Sequence, residues 1–282
     1  MTLRQYINDS IARLAPMYTP SEGRWLMRII LEHLRGWSQT DILMKSDSEI
    51  DTTLRELIEP MIGRLLKHEP IQYILGETYW HGLNLKVTPS VLIPREETSE
   101  LIDIITDNNK GNDLNVLDIC TGSGCIAIAL ARTLPFANVT AIDISPNALD
   151  VARQNAASCK VNVKYIQCDA LKPLPLPSDS FDIIVSNPPY IAQSEDKLMS
   201  PNVLEYEPHS ALFVPDDDPL RFYSAISADA MRLLKSGGRL YYEINPIYSS
   251  RLAGMLERDG WTDVTVIKDI HGKNRFISAL HP

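Results

Sequence analysis

From residue 113 onward the chain alternates between short apolar runs and amphipathic stretches, and few folds accommodate that rhythm. LNVLDI reads as a buried strand, SGCIAIALARTL as a helix, NVTAID as a strand, SPNALDVARQNAAS as a helix and NVKYIQ as a strand. After a proline-rich loop, FDIIVS is a fourth strand. PLRFYSAISADAMRLLK is then a helix, GGRLYYEI a strand and IYSSRLAGMLERDG a helix. DVTVIK and RFISAL close the chain as two strands able to form a hairpin. This alternation predicts an α/β fold, a mostly parallel sheet with helices on both faces. Ligands on such sheets bind beyond the carboxyl ends of the strands, where strand order reverses. The ends of the first, second and fourth strands therefore share one rim.

Upstream the texture differs. Residues 1–72 read as a small helical bundle. Apolar residues recur at three- and four-residue spacing in Leu3, Tyr6, Ile7, Ile11 and Leu14, and again in Trp25, Leu26, Ile29, Ile30 and Leu34. Pro20-Ser21-Glu22 and Ser46-Asp47 are expected helix starts. Residues 73–93, with a Gly between aromatic and β-branched residues, read as a β-hairpin connector. Residues 94–282 form the α/β domain, and Pro94 opens its first helix.

The chain has 282 residues and a net charge of -9. Affinity for a nucleic-acid backbone comes largely from phosphate neutralisation, so no direct nucleic-acid partner is expected. No apolar run reaches the roughly 18 residues of a membrane span, and MTLRQYINDSIARLAP lacks the apolar block of a signal peptide. A cytoplasmic protein without a membrane partner is expected. Cys120, Cys125, Cys159 and Cys168 show neither CxxC pairing nor His at metal spacing. They read as reduced thiols, and no metal is expected.

The first strand runs into Asp118-Ile119-Cys120-Thr121-Gly122-Ser123-Gly124. Gly122 and Gly124 allow a tight turn and close approach to a ligand, and amides at a helix start suit electron-rich groups. Asp143 ends the second strand, where a carboxylate can accept both hydroxyls of a ribose, and Asp169 follows the third. The loop also satisfies the dinucleotide pattern G-x-G-x-x-A. An acid at Asp118 would oppose a pyrophosphate, whereas the sulfonium and ammonium of S-adenosyl-L-methionine are cationic and tolerate it.

The fourth strand stops abruptly at Asn187-Pro188-Pro189-Tyr190. A conjugated NH2 group that attacks a methyl carbon loses conjugation and gains positive charge. A useful site offers acceptors to its two N–H bonds and aligns its lone pair with the methyl group. The Asn187 side-chain oxygen is one acceptor and the Pro188 carbonyl the other, with the proline pair fixing direction. Tyr190 can stack on the flat group. No general base is evident, and none is required before transfer.

Several blocks, in order, resemble the protein-(glutamine-N5) methyltransferases of peptide chain release factors, the PrmC/HemK family. They are PIQYILGE, VTPSVLIPREET, VLDICTGSGCIAIAL, DISPNALDVARQNA, FDIIVSNPPYI, EYEPHSAL and KDIHGKNR. The resemblance implies a seven-stranded, Rossmann-like class I methyltransferase sheet behind a helical substrate-recognition domain. It implies S-adenosyl-L-methionine as cofactor, S-adenosyl-L-homocysteine as product, and the glutamine of a release factor's Gly-Gly-Gln loop as substrate, with an effect on translation termination. By position, Cys120, Thr121, Gly122, Ser123, Gly124, Asp143, Asp169, Ala170 and Asn187 should contact the cofactor. Asn187, Pro188, Pro189 and Tyr190 should hold the glutamine, with Asn187, Pro188 and Tyr190 serving the chemistry. Three positions depart from the family: Cys120, Pro219 and Asn245 stand where glycine is usual.

Two other readings compete. An N6-adenine methyltransferase would use the same chemistry, but the acidic charge and the lack of a Lys/Arg-rich segment argue against it. A dehydrogenase or binding protein on a similar sheet would have no use for NPPY. Arg95 is expected near the mouth of the site and Glu96 and Glu97 at a solvated helix start. Glu205, Glu207 and His209 are expected as surface or hinge groups, and Trp80 and His81 as packing and turn residues.

Overall fold

The computed structural model describes the backbone of residues 1–282 and every side chain except that of Leu198. The chain forms two compact units, one of Met1–Gly76 with Ser200–Tyr206 and the other of Glu77–Met199 with Glu207–Pro282.

The smaller unit contains α1 (Leu3–Leu14), α2 (Pro20–Arg35), α3 (Gln39–Met44), α4 (Thr52–Leu65) and α5 (Ile71–Leu75). Leu3, Tyr6, Leu14, Leu26, Ile30 and Ile58 are fully buried at its centre, which is the outcome of the three- and four-residue spacing. α2 begins as its sequence suggests: Pro20 occupies the first turn, and Thr19 and Glu22 form a reciprocal capping box. Ser46-Asp47 starts no helix. The cap of α4 is Asp51, whose carboxylate accepts from Thr53 N at 3.1 Å, while Ser46 is buried and its carbonyl accepts from Arg4 N.

The larger unit opens with the hairpin β1 (Glu77–Trp80) and β2 (Leu83–Lys86). Its two-residue turn, His81-Gly82, has positive φ at both positions, which the right-handed twist of a hairpin favours. α6 (Glu96–Asn108) follows, then β3 (Asn115–Ile119), α7 (Cys125–Thr133), β4 (Asn138–Asp143), α8 (Pro146–Cys159), β5 (Val163–Gln167) and β6 (Phe181–Ser186). After β6 come β7 (Ile191–Ala192), α9 (Pro201–Tyr206), β8 (Phe213–Val214), α10 (Arg221–Leu233), β9 (Leu234–Glu243), α11 (Ser249–Arg258), β10 (Thr262–Lys268) and β11 (Asn274–Leu280). α9 belongs to the smaller unit, where the Tyr206 hydroxyl donates to Lys67 O.

Seven strands make one sheet in the order β10-β11-β9-β6-β3-β4-β5. β3, β4, β5, β6 and β9 pair in parallel, and β11 runs antiparallel to both neighbours. The expected class I methyltransferase sheet is thus present, with its terminal hairpin. The chain winds from β3 through β4 to β5 on one side and through β6 to β9 on the other, so strand order reverses between β3 and β6. The loops after β3, β4 and β6 meet there. Buried residues pack on both faces: Ile126, Leu130, Val139 and Phe276 in one cluster, Ile184, Tyr223, Leu240 and Leu252 in the other. Among the described residues no helix is long and apolar enough to cross a membrane.

Candidate active site

Asp118 organises the loop after β3. Its side chain is fully buried, and Oδ2 accepts from Thr121 Oγ1 at 2.5 Å and from Ala127 N at 3.2 Å. It therefore ties the loop to the first turn of α7. Oδ1 has no partner, and burial pushes the carboxyl up to about 7. Asp118 supports the loop from beneath and does not line the cavity described below.

Three residues of the loop adopt left-handed backbone: Cys120 at φ +64°, Gly122 at +54° and Gly124 at +82°. A Cβ at Gly122 would meet open space, so close approach by a ligand is possible there. Gly124 is glycine for another reason. A Cβ would sit 3.0 Å from Ala152 Cβ and 3.1 Å from the Tyr165 hydroxyl, so its small size lets α7 pack on α8 and β5. Cys120 holds a left-handed conformation without glycine's freedom, at a cost of roughly 1–2 kcal/mol. Burial and the nearby Asp143 raise its thiol, so it faces the cavity as a neutral group.

The amides of the two glycines are already engaged, contrary to the expectation that they are open to a ligand. Gly122 N donates to Asp143 Oδ2 at 2.9 Å, and Gly124 N donates to Thr121 O at 2.9 Å. A pyrophosphate would find neither donor. Asp143 Oδ1 accepts from Ser145 N at 2.9 Å, so each oxygen has one protein donor and a remaining lone pair. Burial raises the Asp143 carboxyl, and its backbone donors oppose that rise. Asn155, buried in α8, braces the loop by donating to Ser123 O at 2.9 Å and to Lys86 O at 3.0 Å while accepting from Lys86 N at 2.7 Å.

These elements border a cavity of about 360 Å³. Cys120, Thr121, Gly122, Ser123, Asp143, Asp169, Ala170, Asn187 and Pro189 line it, whereas Gly124, Pro188 and Tyr190 do not. The size lies within the usual range of ligand pockets, about 300–1,000 Å³. Ile126, Ile142, Ala148 and Phe222 supply apolar wall. Ser123 lines the cavity, with its Oγ buried. Two carboxylates, an apolar slot and the absence of open glycine amides fit a cationic adenosyl sulfonium better than a dinucleotide.

Beyond β6, Asn187 is half-buried and Pro188 and Pro189 are buried. Among the described residues, no group hydrogen-bonds to the Asn187 side chain or to the Pro188 carbonyl. With no donor among the described residues on either of these two neighbouring acceptors, both remain available to an external N–H pair. Tyr190 is occupied differently: its hydroxyl donates to Glu243 Oε1 at 3.0 Å. Burial and that carboxylate raise its phenol far above the usual value, so it stays protonated and is no base.

Another stretch of the wall is held by a pairing that the local sequence pattern does not reveal. Glu207, expected at the surface or a hinge, is 3% exposed, while Arg95 reaches the cavity. Arg95 NH2 donates to Glu207 Oε1 at 2.7 Å, and Ile93 N donates to Oε2 at 3.1 Å. The carboxylate thereby joins two segments 112 residues apart. A proline-flanked glutamate in a polar loop carries no periodic signal, and only the long-range pairing reveals its role. Trp80 is packing, as expected, with its indole N–H donating to Arg95 O at 2.7 Å. Among the described residues no cluster of three His, Cys, Asp or Glu side chains is placed to hold a metal ion.

Comparison with known proteins gives concordant results. A family model for a methyltransferase domain matches residues 110–259, and one for the PrmC N-terminal domain matches residues 5–76. A release factor glutamine methyltransferase of Bacteroides thetaiotaomicron is 44% identical over 97% of each chain. One of Flavobacterium psychrophilum is 42% identical over 99% of each chain. A methyltransferase from Pyrococcus furiosus shares the fold at a TM-score of 0.52 and 18% identity, over 79% of this chain and 98% of that one. The matches span both units, and the chain belongs to the release factor glutamine methyltransferases, enzymes that depend on S-adenosyl-L-methionine.

Proposed function

We propose that this enzyme transfers a methyl group from S-adenosyl-L-methionine to the side-chain nitrogen, N5, of the glutamine in the Gly-Gly-Gln loop of a peptide chain release factor. The observation that carries this reading is the pair of unpartnered acceptors, the Asn187 side chain and the Pro188 carbonyl, beside the cavity that holds Asp143. The names of the relatives point to the same substrate.

Bound cofactor supplies an electrophilic methyl carbon on a sulfonium. Asp143 would accept from the ribose hydroxyls, and the open space at Gly122 would let the cofactor approach the backbone closely. Cys120, Thr121, Asp169 and Ala170 line the same pocket, and Gly124 lets the loop pack behind it. Asn187 and Pro188 would each accept one N–H of the primary amide, holding its nitrogen lone pair in line with the transferable methyl group; such alignment works at about 3–3.5 Å. The two acceptors also stabilise the positive charge that the nitrogen gains. Loss of one such partner typically costs about 10²–10³ in rate. Pro189 and Tyr190 cover the flat face of the amide. The methylated amide sheds its proton readily, so no side chain need remove it beforehand.

The helical residues 1–72 recognise the release factor, the hairpin segment 73–93 connects, and residues 94–282 carry the chemistry. The reaction takes place where release factors work, in the cytoplasm, and modulates translation termination. The test uses cofactor labelled in the methyl group, a recombinant release factor, its Gln→Ala loop variant and adenine-containing oligonucleotides. Label should enter only the intact release factor and map to its loop glutamine. Equal labelling of the variant, or labelling of the oligonucleotides instead, refutes the reading.

A further inference from the structure

Tyr190 is held at both of its polar ends, by the last residue of β9 and by a residue just beyond that strand. Its phenol donates to Glu243 Oε1 at 3.0 Å, and its carbonyl oxygen accepts from Asn245 Nδ2 at 3.2 Å. Glu243 is itself fixed, since Oε2 accepts from Thr98 Oγ1 in α6 at 2.5 Å. Asn245 is fixed as well. Its Oδ1 accepts from Ile247 N at 3.1 Å, and its Nδ2 lies 3.1 Å from Glu195 Oε1, which accepts from Ala192 N at 2.8 Å. Glu243 and Asn245 are 1% and 5% exposed, and neither lines the cavity.

Between this double attachment and Asn187 stand only Pro188, itself the second acceptor, and Pro189, and their rings fix φ near −65°. Locking Tyr190 at phenol and carbonyl therefore leaves little torsional freedom upstream. On the other side, Ser186 Oγ donates to Ile119 O at 2.6 Å and holds the end of β6. The acceptor corner is clamped before and after.

Resting on the functional reading above, we propose that Asn245 and Glu243 are positioning residues for methyl transfer: they hold Tyr190 so that the Asn187 side chain and Pro188 carbonyl face the substrate amide in register. Asn245 contributes a side-chain donor to the Tyr190 carbonyl. A misplacement of about 1 Å can cost on the order of 10²-fold in rate even when the change lies away from the reacting atoms.

The test separates positioning from folding. Asn245→Asp keeps the Oδ1 that caps Ile247 N, removes the donor to Tyr190 O and sets a carboxylate against Glu195. Single-turnover methylation of a recombinant release factor is measured for wild type, Asn245→Asp, Asn187→Ala and the double variant, with S-adenosyl-L-homocysteine affinity measured for each. Asn245→Asp should slow transfer by about 10- to 100-fold with product affinity within about twofold. In the Asn187→Ala background the same change should add less than about threefold, because it acts through a corner that has already lost its acceptor. Glu243→Gln, which keeps an acceptor for the phenol, should retain most of the rate that Glu243→Leu loses. Equal losses in both backgrounds, a parallel loss of product affinity, or an unchanged rate in Asn245→Asp overturns the proposal. A normal rate in Asn187→Ala removes the functional reading and this proposal with it. A slow Asn187→Ala beside a normal Asn245→Asp removes this proposal alone.

Discussion

The Arg95–Glu207 pair links two segments of the cavity wall, and its two partners differ in exposure. The Arg95 side chain is 33% exposed and that of Glu207 only 1%. Removing either partner should therefore have unequal effects. Arg95→Ala leaves a carboxylate buried with a single donor, Ile93 N. Breaking a buried pair this way costs about 3–5 kcal/mol. The partial exposure of Arg95 lets water replace some of the lost stabilisation, which places the expected loss near the bottom of that range, about 3 kcal/mol. Glu207→Gln keeps an acceptor for Ile93 N and leaves a guanidinium able to turn toward water, so its loss should be about 1 kcal/mol. The double variant has no buried charge to strand. It should be more stable than Arg95→Ala alone by about 1–2 kcal/mol, a second substitution that restores part of what the first removed. Urea unfolding of the four proteins, read from midpoints at equal slope, measures these differences. A double variant less stable than Arg95→Ala, or equal losses for the two single variants, refutes the account of Glu207 as a buried, pair-dependent charge.

Two other predictions concern the loop after β3. Burial raises the Asp118 carboxyl from an ordinary 3.8 to about 7. The neutral form is favoured on folding, so stability from this group is fully present below about pH 4 and lost as pH rises through 7. At about 1.4 kcal/mol per pH unit the loss is at most about 4 kcal/mol. Asp118→Asn keeps an acceptor for Thr121 and Ala127, so its stability relative to wild type should climb between pH 4 and 7 and then level off; parallel profiles for the two proteins contradict this. Cys120→Gly relieves roughly 1–2 kcal/mol of left-handed strain against about 0.5–1 kcal/mol of added chain entropy. Its thermal midpoint should match or slightly exceed wild type, whereas Cys120→Val should fall clearly below. A neutral Cys120→Val means that φ at this position is not +64°.

The sheet was legible because the pattern of apolar runs is local. FDIIVS and NVTAID are short, β-branched and bounded by turn residues, and they became β6 and β4 with little change in their bounds. The terminal hairpin followed from the same rule. Ser46-Asp47 misled because a polar pair resembles a cap wherever it falls, and only the tertiary placement of Arg4 against Ser46 takes it out of play. At the site, the rim positions Gly122, Asp143 and Asn187 were readable because fold and spacing put them at strand ends. The partners that hold them were not. Glu207 meets Ile93, Glu243 meets Thr98 and Asn155 meets Lys86 across separations of 114, 145 and 69 residues, and nothing local in the chain encodes such pairings. Gly124, singled out as a cofactor contact, does not line the cavity, and its size is set by Ala152 and Tyr165, both distant in sequence.

The proposed function requires the corner after β6 to supply two oxygen acceptors to a primary amide. Asn187→Ala removes one of them without touching Asp143 or the Gly122 loop, so the rate and the pocket can be judged separately. The most direct measurement is the single-turnover rate of methyl transfer to a release factor by Asn187→Ala, alongside its affinity for S-adenosyl-L-homocysteine. The account predicts a rate lower by about 10²–10³ with product affinity changed by only a few fold. A rate close to wild type would contradict it.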